Sequence, residues 1–163
     1  MKKSVIAIAP VIFILLIIFA FSSQPYKDQD ITPWLASLNQ SIILTKLLSW
    51  ISFTYAGKEI SISALGVAHF IEFFIRKASH LTVFFFLAFF TVRALSHFLV
   101  NKKRTIIISF LIVICYAALD EFHQSFTGGR TPLLEDVVVD SVGGVLGILF
   151  YIYYRHRKAN GTN

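Results

Sequence analysis

Four apolar runs constrain this chain before any other feature, because three of them cannot cross a bilayer without borrowing charged neighbours. The first, Val5 to Phe21, is unbroken and spans with its flanks. The second is purely apolar only from Leu81 to Val92, about 18 Å at roughly 1.5 Å per residue, against about 30 Å of hydrocarbon. Reaching a full span means including Arg76, Lys77 and His80. The third, Thr105 to Leu119, is fifteen residues long, and its missing turn is Asp120 to Gln124. The fourth starts at Thr131-Pro132 and ends at Tyr154, which puts Asp136 and Asp140 inside it. A mean hydropathy of +0.70 places the chain among membrane proteins rather than soluble domains.

The expected fold is therefore an all-α membrane protein: four transmembrane helices with an outer-face amphipathic helix, in one domain over 1–163. The spans fall at about 5–24, 75–95, 105–124 and 132–154, with an outer segment at 26–70. Lys2, Lys3 and Ala20-Phe21-Ser22 also fit a cleavable signal peptide, but the run is longer than a usual signal core and reads as a retained helix that tolerates Pro10. In the outer segment, Thr32-Pro33 reads as an N-cap and first-turn pair. Ile31, Trp34, Leu35, Leu38 and Ile42 then share one face of a surface helix. Ile51 to Ser61 alternates around Gly57 and suggests a small hairpin. The lone Cys115, in an apolar stretch, reads as a buried small residue and excludes an intramolecular disulfide. Gly143, Gly144 and Gly147, with Ser141, read as a close helix contact.

Charge sets the orientation. A net charge of +6 would suggest nucleic acid in a soluble protein, but here the basic residues flank apolar runs, and no nucleic-acid partner is expected. Lys2, Lys3, Lys102, Lys103, Arg104, Arg155, Arg157 and Lys158 fall on one side if both termini and the 96–104 loop lie there. All nine acidic residues fall on the other side or in the outer helix ends. The positive-inside pattern predicts both termini cytoplasmic.

With that topology, four outer helix ends carry Ser22-Ser23-Gln24, then Arg76-Lys77 and His80, then Asp120-Glu121 with His123-Gln124, then Asp136 and Asp140. The i,i+3 and i,i+4 spacings let each group share a helix face. An unpaired charge in a span costs about 2.5–3.5 kcal/mol, so these groups should converge in one outward-opening polar pocket. Asp120 or Asp136 beside His123 or His80 offers a general acid–base pair. Arg76, Lys77 and Arg130 offer a cradle for phosphate or carboxylate, aided by the outward N-termini of the second and fourth helices. Ser22 and Ser23 are candidate nucleophiles. His80, His123, Asp120, Asp136 and Asp140 offer metal ligands, without a dense ligand motif. The alternative is a structural network of ion pairs, Glu72 with Arg76 and Asp120 or Asp136 with Arg130 or Lys77, that merely holds the helix ends together.

Phe21-Ser22-Ser23-Gln24-Pro25, Arg76-Lys77-x-x-His80 and Asp120-Glu121-Phe122-His123-Gln124, followed by Arg130, Asp136, Asp140 and Gly144, resemble the signature of VanZ-like membrane proteins. The resemblance covers essentially the whole chain. Gly128-Gly129-Arg130 stands where many members have Pro-Gly-Arg. The resemblance implies a bacterial plasma-membrane protein associated with low-level resistance to teicoplanin, a lipid-tailed glycopeptide, and supplies no biochemical mechanism or cofactor. Two functions follow as expectations. One is a pocket, with Arg76, Lys77, Arg130, Gln124, Ser22, Ser23 and Gln24 as ligand-binding residues, for a membrane lipid, a lipid-linked envelope component or a lipoglycopeptide. The other is a membrane enzyme performing phosphoryl or acyl chemistry on a lipid-linked substrate.

Overall fold

The computed structural model describes residues 2–127 and 132–160, with side chains from Ile6 onward. Four long helices carry the fold: α1 (Lys2–Ser22), α4 (Ile62–Leu95), α5 (Lys102–Gln124) and α6 (Leu134–Asn160). Between α1 and α4 lie two short helices, α2 (Thr32–Leu35) and α3 (Ile42–Leu48), and a hairpin of β1 (Ser52–Tyr55) and β2 (Lys58–Ser61). α4, α5 and α6 are long and apolar enough to cross a membrane, and Ile6–Ser22 of α1 is a shorter apolar helix. The chain is thus an all-α, multi-pass membrane protein. The bundle has a hairpin end and a basic end, the latter carrying Lys102 and Arg155.

The bundle core comprises Ile14, Ile18, Phe84, Leu87, Ala88, Val113, Ala117 and Ile148. These residues come from all four long helices, and α4 packs against each of the others. Outward faces are equally apolar: Phe13, Leu16, Leu111, Leu119 and Leu149 are all exposed in the isolated chain. A contiguous apolar exterior of this kind is unstable in water and is what lipid covers. Two side-chain bonds tie helices together. Tyr116 donates to the Leu15 carbonyl at 2.9 Å, and Tyr151 donates to Ser96 Oγ at 2.9 Å.

Several expectations change. The segment after Thr32 is not one amphipathic helix but α2, a 3-10 turn over Ala36–Gln40, and α3. The break falls at Ser41, whose extended backbone lets its hydroxyl cap Leu44 N at 3.3 Å. Asn39, meanwhile, turns its side chain away to accept from Ala68 N at 2.9 Å. Thr32 is the first helical residue rather than the cap: Ile31 holds the cap position, and Asp30 Oδ1 accepts from Thr32 N at 2.8 Å and Thr32 Oγ1 at 2.6 Å. These bonds hold the Asp30 carboxyl below its ordinary range. Cys115 is exposed on the outer surface of α5, because an apolar context marks a lipid-facing position as readily as a core one.

The hairpin at 51–61 forms as expected, turning through Ala56 and Gly57 at φ 50° and 75°. Both central residues at positive φ match a tight hairpin turn and the right-handed twist of its strands. α4 starts earlier than the sequence suggested, at Ile62, where Ser61 Oγ accepts from Ala64 N at 3.1 Å. It bends at Gly66, with φ 76° and ψ 164°, a conformation essentially reserved for glycine. The bend is stapled by Asn39 and lets the helix run from the hairpin into the bundle.

Candidate functional site

Helix phase brings the polar groups of the hairpin end together in three separate clusters rather than in one. α1 ends at Ser22, so the serine hydroxyl points at α5, where Asp120 and Gln124 share a face one turn apart. Ser22 Oγ donates to Asp120 Oδ1 in a short hydrogen bond, and Gln124 Nε2 donates to Asp120 Oδ2 at 2.7 Å and to Ser22 Oγ at 3.3 Å. All three residues are buried. Facing them, His80 Nδ1 of α4 lies 3.4 Å from Asp140 Oδ1 of α6, and Asp140 is only 1% exposed. One ligand atom each from His80, Asp120 and Asp140 fall within 4.8 Å of one another. This first cluster joins all four long helices.

A second cluster lies between α4, α6 and the hairpin. Lys77 Nζ pairs with Asp136 Oδ1 at 2.5 Å, and Tyr55 donates a short hydrogen bond to the same oxygen. The ammonium also sits 4.6 Å from the Tyr55 ring centre and 5.4 Å from that of Phe73, within cation–π range. Burial, and then the Asp136 carboxylate beside it, hold the Tyr55 phenol above its ordinary range. Tyr55 therefore stays a donor at physiological pH. The third cluster is Arg76 with Glu72, 3.1 Å apart, with the guanidinium 4.2 Å over the Tyr26 ring.

A cavity of about 450 Å³ opens between the first and third clusters. Ile17, Ile18, Phe21, Ile31, Ile75 and Val83 give it mainly apolar walls. Ser22, His80, Asp120 and Gln124 supply one polar surface, and Glu72 and Arg76 another. The covering strap is the segment from Gln24 to Ile31, anchored where Gln29 Nε2 donates to the Phe21 carbonyl at 2.5 Å.

Of the residues singled out in the sequence, Ser22, Gln24, Arg76, His80, Asp120 and Gln124 line this cavity, and Asp140 backs His80. Others are placed elsewhere. Ser23 is exposed and donates to the Phe19 carbonyl at 2.8 Å. His123 stacks on Phe19, ring centres 4.8 Å apart, and does not line the cavity. Asp136 and Lys77 neutralise each other under the hairpin. His123 and Asp136 therefore do not join the metal-ligand group that the sequence allowed. Arg130 lies outside the described residues. Arg76 and His80 are far inside α4, so that helix's N-terminal dipole does not act on them.

Tyr26 and Tyr55 were not singled out, and Glu121 stood among the polar outer helix ends and in the family motif without a role. Glu121 Oε1 accepts from Leu133 N at 2.6 Å and so fixes the entry to α6. Tyr26 and Tyr55 sit in polar stretches where nothing distinguished them.

Helices that bury a Ser–Asp–Gln–His–Asp group where their apolar surfaces converge define a multi-pass membrane protein with a built polar site. The chain belongs to the VanZ/LLP1 family, whose model matches residues 7–155. No curated protein and no solved structure matches it.

Proposed function

We propose that this chain lies in the bacterial plasma membrane with four crossings and both termini cytoplasmic, and binds an amphiphilic envelope molecule in its outward-facing cavity. The occupant is an envelope lipid or a glycopeptide-related ligand, and the consequence is low-level resistance to teicoplanin. The positive-inside pattern supports the orientation, and family membership supports the resistance. One observation carries the binding: a single cavity lined by Ile17, Ile18, Phe21, Ile75 and Val83 also presents Arg76, His80, Asp120 and Gln124. Mainly apolar walls with a few placed polar groups are the general form of a small-molecule site. Here the walls suit the first carbons of an acyl chain and the polar groups suit its head. Arg76 is a planar donor for phosphate or carboxylate, exchanging part of its contact with Glu72.

Ser79 lines the cavity, is exposed, and among the described residues its hydroxyl bonds only to the Ile75 carbonyl of its own helix turn, at 2.8 Å. Ser79→Phe should fill the cavity while leaving the polar groups and the bundle intact. Native mass spectrometry should show wild-type chain carrying lipid and the variant stripped of it. At equal membrane abundance, the variant should also lose the reduced teicoplanin susceptibility that wild type confers. Equal lipid occupancy in the two proteins would overturn the reading.

A second reading is favoured by the Ser22–Asp120 hydrogen bond. A hydroxyl buried against a carboxylate, with an imidazole nearby, has the parts for phosphoryl or acyl transfer: Ser22 attacks, Asp120 takes its proton, and His80 protonates the leaving oxygen. Ser22→Ala separates the readings. Binding alone predicts retained lipid and retained resistance, whereas transfer predicts retained lipid, lost resistance and no covalent adduct on the chain.

A further inference from the structure

Among the described residues, two carboxylates of the first cluster lack matching positive charge. Asp120 and Asp140 are 4% and 1% exposed, among the apolar side chains of a helix bundle. Burying an ionised carboxylate costs several kcal/mol unless a partner neutralises it. Among the described residues, Arg76 is occupied by Glu72 and Lys77 by Asp136, which leaves only His80 near Asp140 and no ion-pair partner on Asp120. Asp140 Oδ1 is fully buried and accepts no hydrogen bond, although His80 Nδ1 is 3.4 Å away. A buried carboxylate oxygen without a hydrogen-bond donor, beside an imidazole and a second carboxylate, marks a place for a cation.

We propose that His80, Asp120 and Asp140 bind one divalent transition-metal ion, with zinc or manganese as the matching class. One imidazole and two carboxylates form a mixed nitrogen–oxygen donor set suited to these ions. The ion's double charge cancels the two carboxylates and leaves the imidazole neutral. Metal–ligand bonds of about 2.0–2.2 Å bring donor atoms to within roughly 3–4 Å of each other. The three donor atoms now lie within 4.8 Å of one another, so binding draws them closer. Ser22 and Gln124 already hold both oxygens of Asp120, and each oxygen keeps a lone pair for the ion. They orient the ligand from behind, as outer partners of metal sites do. Three protein ligands leave a coordination position for a phosphate or carboxylate oxygen of whatever enters the cavity. The inference shares one polar surface with the proposed lipid site and rests on that reading only for this last contact.

The test uses the full chain in detergent, purified through a tag free of histidine. After loading with zinc or manganese and dialysis, elemental mass spectrometry should find about one ion per wild-type chain. Asp140→Asn and His80→Ala should each weaken retention at least tenfold, on the scale set by loss of metal-site residues. Asp136→Asn should retain the ion, because Asp136 belongs to the Lys77 cluster. Should a variant fail to elute as a monodisperse species, the wild type still decides: its thermal midpoint should rise with added zinc or manganese and fall back with chelator. No retained ion and no shift of the midpoint would overturn the proposal, as would equal retention in Asp140→Asn and wild type. Lipid measured on the same samples keeps the two readings apart. Metal without lipid fails only the lipid site, and lipid without metal fails only this one.

Discussion

Gly147→Ala is expected to destabilise the bundle by about 3 kcal/mol, at the upper end of the cost of overpacking. Helix propensity predicts the opposite sign, since alanine in a helix interior is favoured over glycine by roughly 0.5–1 kcal/mol. Packing overrides it. A Cβ on Gly147 would lie 2.1 Å from the Phe85 carbonyl oxygen, and one on Gly143 would lie 2.4 Å from that of Leu81. These neighbours are backbone, so no rotamer change relieves the clash and α6 must move off α4. That interface brings Asp140 to His80, so the same substitution should also disperse the polar site. Gly144→Ala is the control: its Cβ meets Val113 Cγ1 at 2.8 Å, a side-chain methyl that can shift where backbone cannot. Thermal midpoints of the purified variants should fall in the order Gly147→Ala well below Gly144→Ala, with wild type highest. Equal midpoints for the two variants would refute the close-contact account.

Lys77→Met should cost about 3 kcal/mol, because removing one partner of a largely buried pair strands the other. Lys77 and Asp136 side chains are 17% and 19% exposed, and the short bond from Tyr55 does not neutralise the carboxylate left behind. The double variant Lys77→Met/Asp136→Leu should recover most of that loss, since an apolar pair of similar volume often replaces a buried ion pair without penalty. Denaturation of the four proteins of this cycle measures the coupling directly. Lipid and metal retention should follow the folded fraction throughout. Either one lost from a fully folded double variant would return Lys77 and Asp136 to the site.

Much of the architecture is legible in the residues. The apolar runs give the long helices, and their shortage of length forces Arg76, His80, Asp120, Asp136 and Asp140 to sit beside or within them. Gly57 and the alternation around it give the hairpin. The glycines of α6 announce a close helix contact, which Gly143 and Gly147 make. Less is legible between Thr32 and Leu48, where apolar residues at helical spacing suggest one continuous helix. Competing side-chain bonds from Asn39 and Ser41 break it into pieces, and a hydropathy pattern does not contain them. Cys115 fails for a related reason: in a membrane bundle, core and lipid-facing positions have the same composition.

By itself the sequence determined that this is a helical membrane protein of the VanZ/LLP1 family, with its acidic residues gathered at or beside one set of helix ends and basic residues at the other. Spacing along a helix fixes which groups share a face, because that depends only on 3.6 residues per turn. It does not fix which faces meet. The tertiary structure decided that Ser22, His80, Asp120, Gln124 and Asp140 converge, that Lys77 and Asp136 pair under the hairpin, and that His123 stacks on Phe19. The physical reason is the packing of α6 on α4. Two backbone carbonyls in contact with Gly143 and Gly147 set the rotation of one helix against the other, and that rotation chooses which acid faces which base.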